Sequence, residues 1–142
     1  MRKKVFSTVI VVLALAVMFT ACGTNTKDFK YRKDASGVFI VEYTGKKTKV
    51  NIPEKIDGIP VASIGDNAFR RQPNQPNPTG DKSLDKKNAY RYRQLTKVTI
   101  PASVQIIGNG AFVGNKLTKV EVSESALVYE YAFDANTEIV RK

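Results

Sequence analysis

The residues able to do chemistry are few, and their types narrow what that chemistry is. The 142-residue chain has no His and no Trp, and its single cysteine is Cys22. Imidazole-activated nucleophiles, zinc sites and internal disulfides therefore lack their usual residues. The carboxylates are scattered over turns and strand positions, without the positioned groups that acid–base catalysis requires. Asp66 and Asp134 read as caps of short helical turns. No enzyme, catalytic residue, metal or cofactor is expected. What remains is one thiol and an excess of cations, 23 Lys and Arg against 13 Asp and Glu. The chemistry this allows is acylation at Cys22 and attraction to acidic surfaces.

Cys22 is placed by what precedes it. Arg2-Lys3-Lys4 is a positive start, and Val5 to Met18 is apolar apart from Ser7 and Thr8. That run is short for a membrane-spanning helix and reads as a secretion signal over residues 1–21. Phe19-Thr20-Ala21-Cys22-Gly23 resembles a bacterial lipobox, with Phe19 where Leu is usual, a looser form similar to those of spirochaetes and Bacteroides-like bacteria. The resemblance implies that Cys22 carries diacylglyceryl and becomes the first mature residue. The alternative is a plain signal or short membrane helix with an incidental Cys. Acyl chains anchor firmly, at about 0.8 kcal/mol per buried methylene. Residues 22–30 then form a flexible lipidated tether. Loss of Arg2, Lys3 and Lys4 takes the net charge from +10 to +7.

The elements that present the other cations are repeats. Thr48-Lys49-Val50-Asn51-Ile52-Pro53 returns as Thr96-Lys97-Val98-Thr99-Ile100-Pro101 and as Thr118-Lys119-Val120-Glu121-Val122-Ser123. Each copy is followed by a second block: Ile64-Gly65-Asp66-Asn67-Ala68-Phe69, Ile107-Gly108-Asn109-Gly110-Ala111-Phe112 and the weaker Tyr129-Glu130-Tyr131-Ala132-Phe133. Leu95, Leu117 and Ile139 are spaced by 22, as are Val98 and Val120. A period in the low twenties is that of leucine-rich repeats, each giving one strand and one turn of α- or 3₁₀-helix. Val50/Ile52, Val98/Ile100 and Val120/Val122 point inward from a parallel sheet, and the Ala-Phe pairs fill the other side of the core.

The series Val-x-Ile-Pro, Ile-Gly-x-x-Ala-Phe and Leu-Thr-x-Val resembles the BspA-like, treponemal-type leucine-rich repeat family over about Tyr31 to Val140. The third copy departs by lacking the Pro and the Ile-Gly. Gly37-Val38-Phe39-Ile40-Val41-Glu42-Tyr43-Thr44-Gly45 is similar to the hairpin that opens such arrays, and Ile56-Asp57-Gly58-Ile59-Pro60-Val61 to the longer first repeat, with Asp57-Gly58 as its turn. The resemblance implies an α/β solenoid over residues 31–142. It would hold about three repeats, a small parallel sheet and short helical or 3₁₀ turns, preceded by an N-terminal β-hairpin. It implies adhesin-like binding to host matrix proteins or other cells.

Two surfaces follow. Along a strand side chains alternate, so Lys49/Asn51, Lys97/Thr99 and Lys119/Glu121 face outward, with the three lysines about 5 Å apart on adjacent strands. This column reads either as a docking surface for an acidic partner or as a solubilising face. The second surface is an insertion. The first two repeats start 48 residues apart; part of the excess is the Asp57-Gly58 turn, and the rest lies in residues 70–94. Arg70, Arg71, Lys86, Lys87, Tyr90, Arg91, Tyr92 and Arg93 make that Pro/Asn/Gln-rich segment basic and aromatic, a loop expected to be disordered. It is a ligand-binding loop or a solvated one. No recognition motif for nucleic acid is present. The C-terminal repeat, guarded by Arg141 and Lys142, is a weak cap and a place for self-association. The sequence thus reads as a cell-envelope lipoprotein, at the outer membrane or cell surface in preference to the inner membrane, displaying a protein-binding repeat surface. The alternative is a periplasmic structural or housekeeping lipoprotein with no external ligand.

Overall fold

The computed structural model describes residues 25–72 and 93–142. A 3₁₀ turn, Thr26–Asp28, is capped by Asn25, whose side chain accepts from the Lys27 amide. Strands β1 (Phe29–Asp34) and β2 (Gly37–Tyr43) follow as an antiparallel hairpin. Order therefore starts inside the segment expected to be tether: Phe29 is 4% exposed and joins the core. An apolar ring so close to the first repeat is buried rather than left in a linker.

The repeats begin with β3 (Lys49–Asn51), then β4 (Lys55–Ile56) and β5 (Ile59–Ile64). β4 and β5 form a tight antiparallel hairpin whose two turn residues, Asp57 and Gly58, have φ of 51° and 76°. Two successive positive φ values define the primed hairpin turn, which Asp-Gly supplies readily. β6 (Lys97–Thr99) and β7 (Ile106–Ile107) belong to the second repeat, and β8 (Lys119–Val122) and β9 (Leu127–Val128) to the third. β10 (Glu138–Arg141) opens a fourth.

Each repeat gives two strands rather than one strand and a helix. One strand of each enters a long sheet ordered β1-β2-β5-β7-β9, parallel after the opening hairpin, with β4 on β5. The others form the parallel pairs β3–β6 and β8–β10. The array is thus a repeat solenoid with a mostly parallel sheet and an N-terminal antiparallel hairpin, and the single small sheet expected from the sequence is replaced by two strand faces.

Helical or 3₁₀ turns were also expected at the Ala-Phe blocks, yet among the described residues the one 3₁₀ segment is Thr26–Asp28. The blocks are turns whose amides alternate between local and inter-repeat partners. Ala68 and Arg70 donate back three residues, to Gly65 and Asn67. Asn67, Phe69 and Arg71 donate instead to the Asn109, Ala111 and Val113 carbonyls of the next repeat. Half of the backbone is thereby satisfied by stacking, which leaves no helical ladder to form.

The core lies between the two strand faces and these turns. Val50, Ile52, Val98, Val120 and Val122 enter from one side, and Val38, Ile40, Val61, Ile64 and Ile107 from the other, all buried. Ile100 is only partly buried and packs on the margin. The Ala-Phe pairs are buried as expected, and their rings stack: Phe69 on Phe112 at 4.8 Å and Phe112 on Phe133 at 4.9 Å between centroids. Tyr43 extends the column at 5.3 Å from Phe69. Small Ala68, Ala111 and Ala132 let successive turns approach closely enough for that contact.

Candidate binding surfaces

In β3, β6 and β8 a buried valine is flanked by exposed neighbours, so Lys49, Asn51, Lys97, Thr99, Lys119 and Glu121 all lie on the outer side. Register puts Lys49 opposite Lys97 and Asn51 opposite Thr99. The column then changes character. β6 and β8 form no ladder among the described residues, and a shallow groove of about 420 Å³ lies between them, lined by Thr96, Lys97, Thr99, Thr118, Lys119 and Glu121. Beyond β8 the row ends on an acid: Lys119 sits opposite Glu138, at 3.8 Å. Glu121 is paired with Lys142 at 2.5 Å. That contact, seconded by Lys119 and Lys97, holds the Glu121 carboxyl below the usual range. The face is a cationic pair, Lys49 and Lys97, beside a partly neutralised strip.

The basic insertion divides differently. Arg70 is exposed and donates to the Asn67 side chain at 3.1 Å. Arg93 is exposed and reaches the Lys46 carbonyl at 3.5 Å. Arg71, expected on the surface, is buried at 3% exposure. Its guanidinium stands 5.3 Å over the Tyr43 ring and donates to the carbonyls of Arg93, Tyr43 and Arg70. It ties the two ends of the insertion to the core, so it is withdrawn from the candidate ligand contacts. Lys86, Lys87, Tyr90, Arg91 and Tyr92 lie outside the described residues, as do Cys22 and residues 1–21, the expected signal.

The positions that hold the repeats in phase were not singled out by sequence. Asn115 is buried; its Oδ1 accepts from the Leu95 amide at 2.8 Å, and its Nδ2 donates to the Phe69 and Phe112 carbonyls at 2.9 and 2.6 Å. Thr137, the equivalent residue one repeat later, donates to the Leu117 carbonyl at 2.9 Å. The available signal was a polar residue two places before Leu117 and Ile139. Asp66 and Asp134 cap across repeats instead of capping helices. Asp66 accepts from the Asn109 amide at 2.8 Å, and Asp134 from the Gly114 and Asn115 amides at 3.1 and 3.2 Å. At the C-terminal end the Arg141 guanidinium donates to the carbonyls of Ser123, Glu124 and Ala126. At the other end Asp57 accepts from the Tyr31 hydroxyl and pairs with Lys33 at 2.7 Å, which fastens the hairpin to the first repeat. Lys33 and Tyr31 lower the Asp57 carboxyl, while the bond to Asp57 raises the Tyr31 phenol.

Among the described residues no group of three or more Cys, Asp or Glu side chains is placed to hold a metal ion. No helix among them is long and apolar enough to cross a membrane.

Comparison with known proteins settles the family. Residues 43–140 match the BspA type leucine rich repeat region, described in six copies. The chain belongs to the BspA-type leucine-rich repeat family. The crystal structure of a T. pallidum leucine-rich repeat protein is similar, with a TM-score of 0.51 and 28% identity, over 72% of this chain and 43% of that one. The chain thus spans less than half the length of that relative. No curated protein shows significant similarity to the chain. Residues 43–140 are accordingly a protein-interaction domain of the BspA type, and domains of this family typically bind rather than catalyse.

Proposed function

We propose that this protein is a cell-envelope lipoprotein, anchored through Cys22 at the outer membrane or cell surface, which binds acidic protein partners in an adhesin-like manner. The observation that carries the reading is the register of Lys49 and Lys97 on neighbouring strands, continued by Lys119. Side chains at these spacings repel one another, and an acidic segment laid across them relieves that repulsion. Arg70 and Arg93, both exposed, add positive charge near the ends of the insertion. Host matrix proteins and the surfaces of other cells are the partner class. Self-association through the C-terminal strands is the smaller part of the reading, and sedimentation of the chain at rising concentration tests it.

The experiment is a binding screen of the chain against immobilised matrix proteins, with a Lys49→Glu/Lys97→Glu/Lys119→Glu variant beside it. Binding lost in the variant and weakened by salt supports the reading. Binding unchanged by all three reversals rejects the lysine face. The pairing of Lys119 with Glu138 and of Lys142 with Glu121 favours a second reading, a periplasmic housekeeping lipoprotein whose charged face is only solvated. Protease treatment of intact cells separates the two, since a periplasmic chain survives it.

A further inference from the structure

The outer face of the long sheet is unlike the lysine face. Register places Phe39, Ser63, Ile106 and Leu127 in one outward row. The bonds Gly65 to Ile40, Gly108 to Ile64 and Tyr129 to Ile107 set Val41, Gly65, Gly108 and Tyr129 in the next. Val41, Ile106, Leu127 and Tyr129 are between 41% and 57% exposed, a cluster of apolar side chains on a face that solvent reaches. Clustered apolar surface of this kind marks a binding site more often than scattered single residues do.

The two glycines in the middle of the row make the cluster concave. A groove of about 580 Å³ runs over them, walled by Phe39, Val41, Ile106 and Tyr129, with Asp66 and Asn109 on its polar side. Neither glycine is replaceable without loss of this shape. A Cβ on Gly65 would strike the Phe39 ring at 2.7 Å, and one on Gly108 would strike the Asp66 carboxylate and its backbone. The aromatic ring and the carboxylate thus lie directly over bare backbone. The Arg32 guanidinium stands 4.2 Å over the Phe39 ring centre. Asp66 Oδ1 is engaged by the Asn109 amide, and Oδ2 has no protein partner among the described residues.

We propose that this groove binds a neutral sugar ring of an oligosaccharide. The volume is in the range of small-ligand sites, about 300–1,000 Å³. A sugar ring has an apolar C–H face for Tyr129 and a rim of hydroxyls for Asp66 and the Asn109 side chain, so it matches both halves of the lining. Asp66 is the one acidic or basic side chain in that lining, which disfavours acidic sugars. An extended peptide fits less well. β5 and β7 are each paired on both sides here, so the groove offers no free strand edge for backbone pairing. The site is separate from the lysine face, and it stands whether or not that face binds an acidic protein.

The test is an amide NMR titration of the full chain, in micelles of a detergent without a sugar headgroup, with cellotriose, maltotriose and N,N′-diacetylchitobiose. Saturable shifts confined to Gly65, Gly108, Asn109 and Tyr129 are expected with at least one probe. Tyr129→Ala should weaken that probe roughly tenfold, while Lys97→Glu leaves it unchanged. Tyr129 is half exposed, so its truncation spares the core, and Asp66→Asn is the second variant should the first lose its dispersed spectrum. The proposal is overturned if no probe shifts these amides up to about 20 mM, a millimolar site being the weakest of interest. It is equally overturned if neither variant changes the shifts, or if an apolar peptide moves these amides where every sugar fails.

Discussion

On the short-strand face the outward positions are Lys49, Lys97 and Lys119; on the long sheet the comparable row is Phe39, Ser63, Ile106 and Leu127. Apart from Phe39, which the opening hairpin supplies, both rows come from the same array of repeats. The apolar row sits on a sheet that runs unbroken from β2 through β9, whereas the lysine row crosses a gap between β6 and β8 where no ladder forms. Cross-strand apolar neighbours attract and like charges repel. Repetition therefore acts as an amplifier: lysine recurring on the short strands, and mostly apolar side chains on the long sheet, set the character of a whole row. Glu138, closing the lysine row opposite Lys119, breaks that row where the ladder resumes between β8 and β10, as Ser63 interrupts the apolar one.

The sharpest test of that comparison is to remove what the two faces share. Phe112 lies between Phe69 and Phe133, fully buried. Phe112→Ala should cost about 3–5 kcal/mol in urea denaturation, and both faces should be lost together in one transition. Asn115→Ala comes next, at about 2–4 kcal/mol, because it strands the Leu95 amide and two carbonyls in the interior. Gly108→Ala should cost about 1–2 kcal/mol through the clash with Asp66. That loss should leave the amide shifts of Lys49 and Lys97 in place, which separates the faces. Lys97→Glu should raise the melting temperature slightly by placing an acid between Lys49 and Lys119, and about 1 M salt should erase the gain.

The smallest effect is a pH dependence. Lys142, then Lys119 and Lys97, hold the Glu121 carboxyl below its ordinary value of 4.5. A lowered folded-state value means the contribution is fully present above pH 4.5 and disappears as the pH falls through the depressed value. Glu121→Gln should flatten the acid limb of the stability curve by lowering stability slightly above pH 4.5 and leaving it unchanged at the acid end. Asp57, lowered by Lys33 and Tyr31, acts on the hairpin in the same direction and provides the internal comparison.

The alternation Thr-Lys-Val and the Ala-Phe blocks carried most of the fold in plain sight, since apolar periodicity is set by burial and burial is set by stacking. The Asp57-Gly58 turn was equally legible, because its backbone angles demand those residue types. The absent helices were not. Ile-Gly-x-x-Ala-Phe has the composition of a short helical turn, and only the neighbouring repeat shows that Asn67, Phe69 and Arg71 find their partners across the stack. Arg71 was misplaced for a related reason: a charged residue in a basic run reads as exposed until Tyr43 and three carbonyls are found around it. Of the two candidate surfaces, the lysines could be counted from the strand pattern. The groove could not, because Gly65 and Gly108 fall in blocks assigned to packing, and Phe39 and Tyr129 lie far from them in the chain.

The ring column from Tyr43 to Phe133 also has an optical consequence. Its planes lie within 19°, 17° and 2° of one another in successive pairs, and the chain contains no Trp to dominate the near ultraviolet. Excitation absorbed by Phe69, Phe112 or Phe133 can pass along the column to Tyr43, one of six tyrosines in the chain, and that transfer weakens when neighbouring repeats come apart. The solenoid carries its own unlabelled probe of unzipping, readable from whichever end gives way first.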